Sequence, residues 1–364
     1  MSLSYEKAGV NIDNADATKA QMAKTMATAD PRILHRPGAF ASLFDASFPG
    51  ITHPVLVLKT EEPGSKQKIV FQHQATRGGV ASIAFDMINH LIDDIIVIGA
   101  KPLAIQDCIV CGKLEKPVVL ELVAAINEAC RQNDCHLVGG ETSEQPGVLE
   151  AGLYILSASI VGVVEKSQII DGSKIQLGDR VLAVPSNGLH TNGYSLARAL
   201  MAQHPNLIHE QIPTAASVMP ASSRPPVASA TETFLDAILH PHTCYFNAFK
   251  ALFDNPALHG MAHITGGGIA GNLNRILPPS MDAAIDAAQI RVLPVFKKIH
   301  ELGNVPESDM LKTFNMGVGM TLVCTPAAAP ALIAHLATHQ MAAYDIGHIT
   351  PGDGKIVYEG TIQW

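Results

Sequence analysis

Apolar residues in this 364-residue chain fall into short runs of two alternating kinds. PVLVLK (54–59) is strand-length, whereas VASIAFDMINHLIDDIIVIGA (80–100) sets Phe85, Ile88, Leu91, Ile92, Ile95 and Ile96 at helical spacing. Such alternation restricts the chain to mixed α/β or α+β layers, because each apolar face must be buried against an element of the other kind. The spacing predicts further strands at 102–108, 136–140 and 153–165, a short strand candidate at KIVF (68–71), and a helix at 117–132. The second half repeats the texture. Strands are predicted at 179–184 and 318–324, and helices at 193–203, 233–239, 244–253 and 327–340. Residues 205–229, rich in Pro, Ala and Ser, read as a long loop or insertion.

A chain of this length exceeds what one hydrophobic core usually supports, so two domains are expected, 1–170 and 171–364. Apolar residues at 47% supply the cores, and charged residues at 16% argue against a disordered chain. A net charge of −8 argues against nucleic acid as the main partner. No stretch approaches the ~20 apolar residues of a membrane helix, so no membrane partner is expected. MSLSYEKAGV lacks the basic-then-apolar order of a secretory signal. The six cysteines are then expected as reduced thiols, and the location as cytoplasmic.

Six stretches can carry chemistry. TEEPGSK (60–66) follows a strand and offers Gly64, Ser65 and Lys66, but it is not the GxxxxGK[ST] phosphate loop. Asp86, Asp93 and Asp94 lie near one face of an apolar helix. There they are paired or metal-bound, or one or two of them simply sit on the solvent side. In GGETSEQPG (139–147), Gly139 and Gly140 admit close backbone approach, and Glu141 stands at a strand's C-terminal edge. Hard oxygens such as those of Asp94 and Glu141 suit Mg²⁺, whereas the alternative for GGETSEQPG is two plain turns, GGE and QPG. SNGLHTNGYSLARAL (186–200) carries His190 before a helix start, and HITGGGIAGNL (263–273) runs glycines into another. TFNMGVGM (313–320) places Gly317 and Gly319 where bulges or close contacts need them. Cys108-x₂-Cys111 with Cys130 and Cys135 looks zinc-like but is equally explained by buried thiols. The histidines of HPHTC (240–244) and HLATHQ (335–340) lack accompanying acids and read as surface residues.

Taken in order, YEKAGVNID, IVIGAKPL, CGKL, LVGGETSEQPG, VGVVEKSQIIDGSKIQLGD, SNGLHTNGYSLAR, HITGGGIAGNLNRILP and TFNMGVGM resemble the phosphoribosylformylglycinamidine cyclo-ligase (aminoimidazole ribonucleotide synthetase) family over nearly the whole chain. The resemblance implies a two-domain α/β (α+β) aminoimidazole-ribonucleotide-synthetase-like fold. In it, N-terminal strands of two copies form a dimeric β-barrel, and the chain is a homodimer. It also implies a ligase reaction in which ATP phosphorylates the amide oxygen of formylglycinamidine ribonucleotide. An amine of the same molecule then closes the imidazole ring.

By position, the resemblance makes Asp94, Glu141 and Glu61 the Mg²⁺ ligands. It makes Gly64, Ser65, Lys66, Asp94, Gly139, Gly140, Glu141, Gly266, Gly267 and Gly268 the nucleotide contacts. Lys66 becomes the phosphate contact, and His190 the candidate for substrate binding or proton transfer. The chain departs from the family's TDGVGTK at Glu61, Glu62 and Pro63, from its glycines near Phe40, from asparagine at Asp93 and from an arginine near Thr243. Glu62 adds charge beside a polyanion. Two alternatives stay open: another ATP-using phosphoryl-transfer enzyme of the same superfamily, such as thiamine-monophosphate kinase or selenophosphate synthetase, and, motivated by the altered turn, a relative that binds nucleotide or a partner without ring closure.

Overall fold

The computed structural model describes residues 11–35, 39–73, 78–218 and 229–364. YEKAGV of the opening motif, residues 36–38 of RPGAFASLFD and residues 219–228 of the expected long loop lie outside that range. The chain divides into two compact units. One is Met1–Ile95 with Ala100–Ser167, and the other is Ile96–Gly99 with Gln168–Trp364.

The first unit contains α1 (Ile12–Thr25), β1 (Pro54–Glu61), α2 (Lys66–Gln72), α3 (Ala81–Ile96), β2 (Lys101–Cys111), α4 (Lys116–Gln132), β3 (His136–Glu144) and β4 (Tyr154–Glu165). Its sheet has the order β1-β4-β2-β3. β4 is antiparallel to both neighbours, and β2 is parallel to β3, so β1, β2 and β3 all run one way. The parallel pair is joined through α4, as a parallel connection requires.

Alternation along the strands separates two faces. Tyr154, Leu156, Ala158 and Ile160 of β4 are buried on one. There Phe71 of α2 packs on Tyr154 at 5.0 Å between ring centroids, and Lys59 of β1 reaches Asp94 of α3. The opposite face is covered in part by Ile33, Phe44, Phe48 and Ile51, which pack on Leu103, Ala104, Val138 and Val163. Leu56, Leu58 and Ile155 stay exposed on it. A single chain thus forms an open sheet with β1 and β3 as edges.

α3 is buried almost all round, with Ile83, Met87, Ile88, Leu91 and Ile92 fully inaccessible and the polar Asp86 and Asp93 buried as well. KIVF, read as a strand from its β-branched residues, is the body of α2. The turn at Gly64, with φ +62°, redirects the chain so that Ile69, Val70 and Phe71 pack as a helix.

The second unit comprises β5 (Arg180–Pro185), α5 (Tyr194–Gln203), β6 (Gln211–Pro213), β7 (Thr231–Thr233), α6 (Phe234–Leu239), α7 (Phe246–Phe249), β8 (Leu258–His263) and α8 (Gly268–Leu273). It continues with β9 (Met281–Asp286), α9 (Pro294–Gly303), α10 (Glu307–Thr313), β10 (Val318–Cys324), α11 (Ala329–Thr338), β11 (Tyr344–Pro351) and β12 (Ile356–Glu359). Six strands form one sheet in the order β12-β9-β11-β5-β10-β8, and only the β12–β9 pair is parallel. β10 is buried along its whole length, as its mostly apolar run VGMTLVC requires. The expected helix at 244–253 shrinks to α7, and the described part of the expected long loop carries β6.

Candidate functional site

In the first unit the family-like acidic residues occupy two separate places. Alternation along β1 sets Lys59 and Glu61 on the face that α3 covers, and the helix sets His90 and Asp94 one turn apart against them. The Lys59 ammonium lies between the carboxylates, 3.0 Å from Glu61 and 2.9 Å from Asp94. His90 stands 3.9 Å from Glu61 and 3.7 Å from Asp94. Burial works against the Lys59 charge, but Asp94 and Glu61 hold its pKa above the usual lysine range. Lys59 had no place among the sequence candidates. Its only signal is that it alternates with Glu61 on one strand face.

Glu141 is not brought to this cluster. It sits on β3, the opposite edge of the sheet from β1. It is paired with Cys108, one position on from the Asp107–Gly140 pair. Registers carry Glu61 to Ala158 and Ala158 to Asp107, so Glu141 points to the other sheet face. One chain therefore does not assemble Asp94, Glu61 and Glu141 around a single cation.

Glu141 instead lines a cavity of about 530 Å³ with Gly139, Gly140, Asp107, Phe40 and Ser42, and Lys19 of α1 stands at its wall. The volume matches a small-molecule site. His35 Nε2 and Ser42 Oγ both meet the Val138 carbonyl, at 2.8 and 2.9 Å, and tie these two residues to β3. Gly140 is required here, because a Cβ would lie 1.7 Å from Asp107 Oδ1. Burial pushes the Asp107 carboxyl up to about 7. Asp107 Oδ2 has no hydrogen-bond partner among the described residues. A lone aspartate inside a strand has no periodic signature, so nothing local in the sequence marks Asp107.

Lys66 is placed differently from the expectation of a phosphate contact. Its side chain is 0% exposed, and its ammonium lies 2.8 Å from Asp86, also 0% exposed. Burial pushes the Lys66 pKa down, and the Asp86 charge opposes that shift. A turn lysine looks solvent-directed in sequence, but the Gly64 turn starts α2 at Lys66 and swings the side chain into the core. Gly64 and Ser65 form that turn, and Ser65 makes no side-chain cap hydrogen bond. Asp86 and Asp93 are both fully buried, so the solvent-facing reading does not hold for them, and Asp94 alone of the three is partly exposed.

In the second unit, three glycine-marked segments meet: 186–193, 263–268 and 313–320. His190 adopts φ +58°, a left-handed conformation uncommon outside glycine. The Tyr194 hydroxyl donates to its carbonyl at 3.1 Å. Asn315 ties this turn to the 313–320 run, because its amide donates to Gly188 O at 3.0 Å and its Oδ1 accepts from Gly317 N at 2.9 Å. Both expected roles of the glycines in that run are present. β10 bulges between Val318 and Met320, and a Cβ on Gly319 would lie 1.9 Å from the Tyr245 hydroxyl.

Gly266 packs on Asn192, with 3.1 Å between a built Cβ and Asn192 Oδ1. The amides of Gly267 and Gly268 donate to Lys312 O and Thr265 O, at 2.9 and 3.1 Å. Those two amides are therefore engaged within the protein. Gly268 serves close packing, since a Cβ would sit 1.9 Å from Leu311 O.

His242 of HPHTC is not a surface residue. It is 1% exposed, its Nε2 lies 3.1 Å from His263 Nε2, and its ring stacks on His190 at 3.9 Å. The turn residues flanking it resemble surface chain, which hid its burial. All six cysteines are free thiols.

Comparison with known proteins covers both units. Residues 55–164 match the N-terminal domain of the AIR synthase related protein family, and residues 176–359 match its C-terminal domain. The phosphoribosylformylglycinamidine cyclo-ligase of Carboxydothermus hydrogenoformans is 36% identical over 98% of this chain and 98% of its own. That of Geobacillus kaustophilus is 34% identical over 97% of each. Thiamine-monophosphate kinase from Stenotrophomonas maltophilia K279a superposes with a TM-score of 0.63 at 16% identity, over 96% of each chain. Hydrogenase maturation protein HypE in complex with ATP gives 0.64 at 16%, over 93% of this chain and 88% of that one. At that identity the two structures establish the shared fold. Among the described residues, no helix is long and apolar enough to cross a membrane.

Proposed function

This chain belongs to the phosphoribosylformylglycinamidine cyclo-ligase family, and from that premise we propose that it closes the imidazole ring of formylglycinamidine ribonucleotide with ATP, in the cytoplasm, as a homodimer. The observation that carries the reading is similarity at about a third identity along almost the entire length of both chains. An amide oxygen is a poor leaving group until it is phosphorylated. The amine that then attacks belongs to the same molecule, so holding the substrate folded supplies much of the acceleration.

ATP binds in this reading along the cavity lined by Gly139, Gly140, Glu141 and Ser42, with Lys19 as a nearby positive charge. Hard carboxylate oxygens at partly exposed positions fit Mg²⁺, so Glu61 and Asp94 would hold it, and it would neutralise the triphosphate. His190 remains the candidate for substrate positioning or proton transfer, acting from a buried position.

The homodimer reconciles the separated carboxylates. β1 and β3 are open edges, and Leu56 and Leu58 of β1 are exposed on one face at the first of them. Two such sheets related by a two-fold axis along a common barrel close edge to edge, with β3 of one protomer beside β1 of the other. Glu141 then approaches the β1 end of the partner subunit, and each site draws on both chains.

The test is a coupled assay. Purified protein with Mg²⁺–ATP and formylglycinamidine ribonucleotide yields ADP and aminoimidazole ribonucleotide together. ADP formed without the imidazole product would refute the reading. Nucleotide binding without ring closure is a second reading, and one observation favours it: the Lys59 ammonium already bridges Glu61 and Asp94. ATP binding with no turnover in the same assay would select it.

A further inference from the structure

Besides the acidic clusters, the second unit holds three histidines from three segments. His190 comes from the turn after β5, His242 from the link between α6 and α7, and His263 from the end of β8. They are 1%, 1% and 5% exposed. One ring nitrogen from each lies within 4.8 Å of the other two. The rings of His190 and His242 stack at 3.9 Å, and His263 meets His242 edge-on at 5.1 Å. From this juxtaposition we propose that His190, His242 and His263 form a binding site for a borderline-soft divalent transition metal of the zinc class.

The chemistry follows from the donors. Neutral imidazole nitrogens are good ligands for Zn²⁺, Co²⁺, Ni²⁺ or Cu²⁺, whereas Mg²⁺ takes oxygen ligands. With Zn–N bonds of about 2.0–2.1 Å, tetrahedral ligand nitrogens sit roughly 3.3 Å apart. The two Nε2 atoms of His242 and His263 are 3.1 Å apart, already near that spacing. His190 completes the set by a ring rotation that brings its nitrogen closer. Three nitrogen ligands leave a fourth position for water or an anion, the arrangement of open zinc sites.

The supports are rigid enough to hold such a set. Ile264, next to His263, donates to Gly319 O at 2.9 Å. Tyr245, three residues beyond His242, donates to Pro185 O at 2.8 Å. This inference does not depend on ring closure. It concerns a nitrogen site within the second unit and a class of ion unlike that expected at Glu61 and Asp94.

The experiment titrates full-length chelator-treated protein with Co²⁺ and follows visible absorption. Wild type takes up a single equivalent with the intense d–d bands of tetrahedral cobalt. In His242→Ala those bands vanish or the dissociation constant rises by about tenfold or more. His242→Cys keeps a ligand and adds a thiolate-to-cobalt charge-transfer band, which a folding defect cannot produce. His339→Ala, just past the end of α11 and 5.0 Å ring to ring from His335, leaves the signal unchanged. Weak octahedral bands only, an unaltered titration in His242→Ala, or loss of the signal in His339→Ala overturns the proposal. So does a His242→Cys protein that melts like wild type and shows no charge-transfer band.

Discussion

Substitution of Lys66 by methionine separates a structural lysine from a phosphate ligand. In the structure Lys66 and Asp86 are both fully buried and 2.8 Å apart. Methionine fills similar space without charge, so the Asp86 carboxylate loses its lysine partner inside the core. Breaking one side of a buried pair costs about 3–5 kcal/mol. For a unit of this size that lowers the melting temperature by roughly 6–20 °C. The double variant Lys66→Met/Asp86→Leu removes both charges and is expected to melt well above the single variant, since replacing a whole buried pair by apolar groups is often neutral or stabilising. Scanning calorimetry of wild type, both single variants and the double variant measures this, with Mg²⁺–ATP affinity measured in parallel. An unchanged melting temperature in Lys66→Met together with a large loss of ATP affinity would refute the reasoning and return Lys66 to the phosphate.

Other outcomes follow from the same geometry. Mixing Asp94→Asn with Glu141→Gln, each inactive alone, restores about a quarter of wild-type turnover if sites are shared between protomers, because half the dimers are hybrids that keep one intact site; no recovery after subunit exchange rejects sharing. Gly140→Ala pushes a methyl into the Asp107 carboxyl, costs about 1–3 kcal/mol and weakens ATP binding, as calorimetric titration would report. Folding raises the Asp107 pKa from 3.8 to about 7, so between those values the folded chain holds a proton that the unfolded chain releases. Stability from this group is therefore present at low pH and lost as pH rises through about 7. Denaturant titrations of Asp107→Asn should show that slope flattened, and an unchanged profile counts against it.

Much of the strand and helix order was legible because burial imposes period. β4 alternates, α3 repeats its apolar residues at helical spacing, and β10 is a mostly apolar run, so each declares its type locally. Elements with weaker period were not legible. KIVF has strand-like composition, yet its tertiary setting makes it a helix. β9, with alanines and two aspartates in MDAAID, gains its strand identity from its neighbours β11 and β12.

Residue chemistry along the chain sufficed for the family, the two α/β units and the glycine turns, because motif order and local backbone demands are written in consecutive residues. Which side chains meet was decided only by the tertiary structure. Lys66 turned inward, Lys59 came between Glu61 and Asp94, Glu141 fell on the far edge and opposite face, and His242 joined His190 and His263. Sheet order and strand facing set those meetings. Both depend on how distant segments pair, which no local pattern of apolar and polar residues encodes.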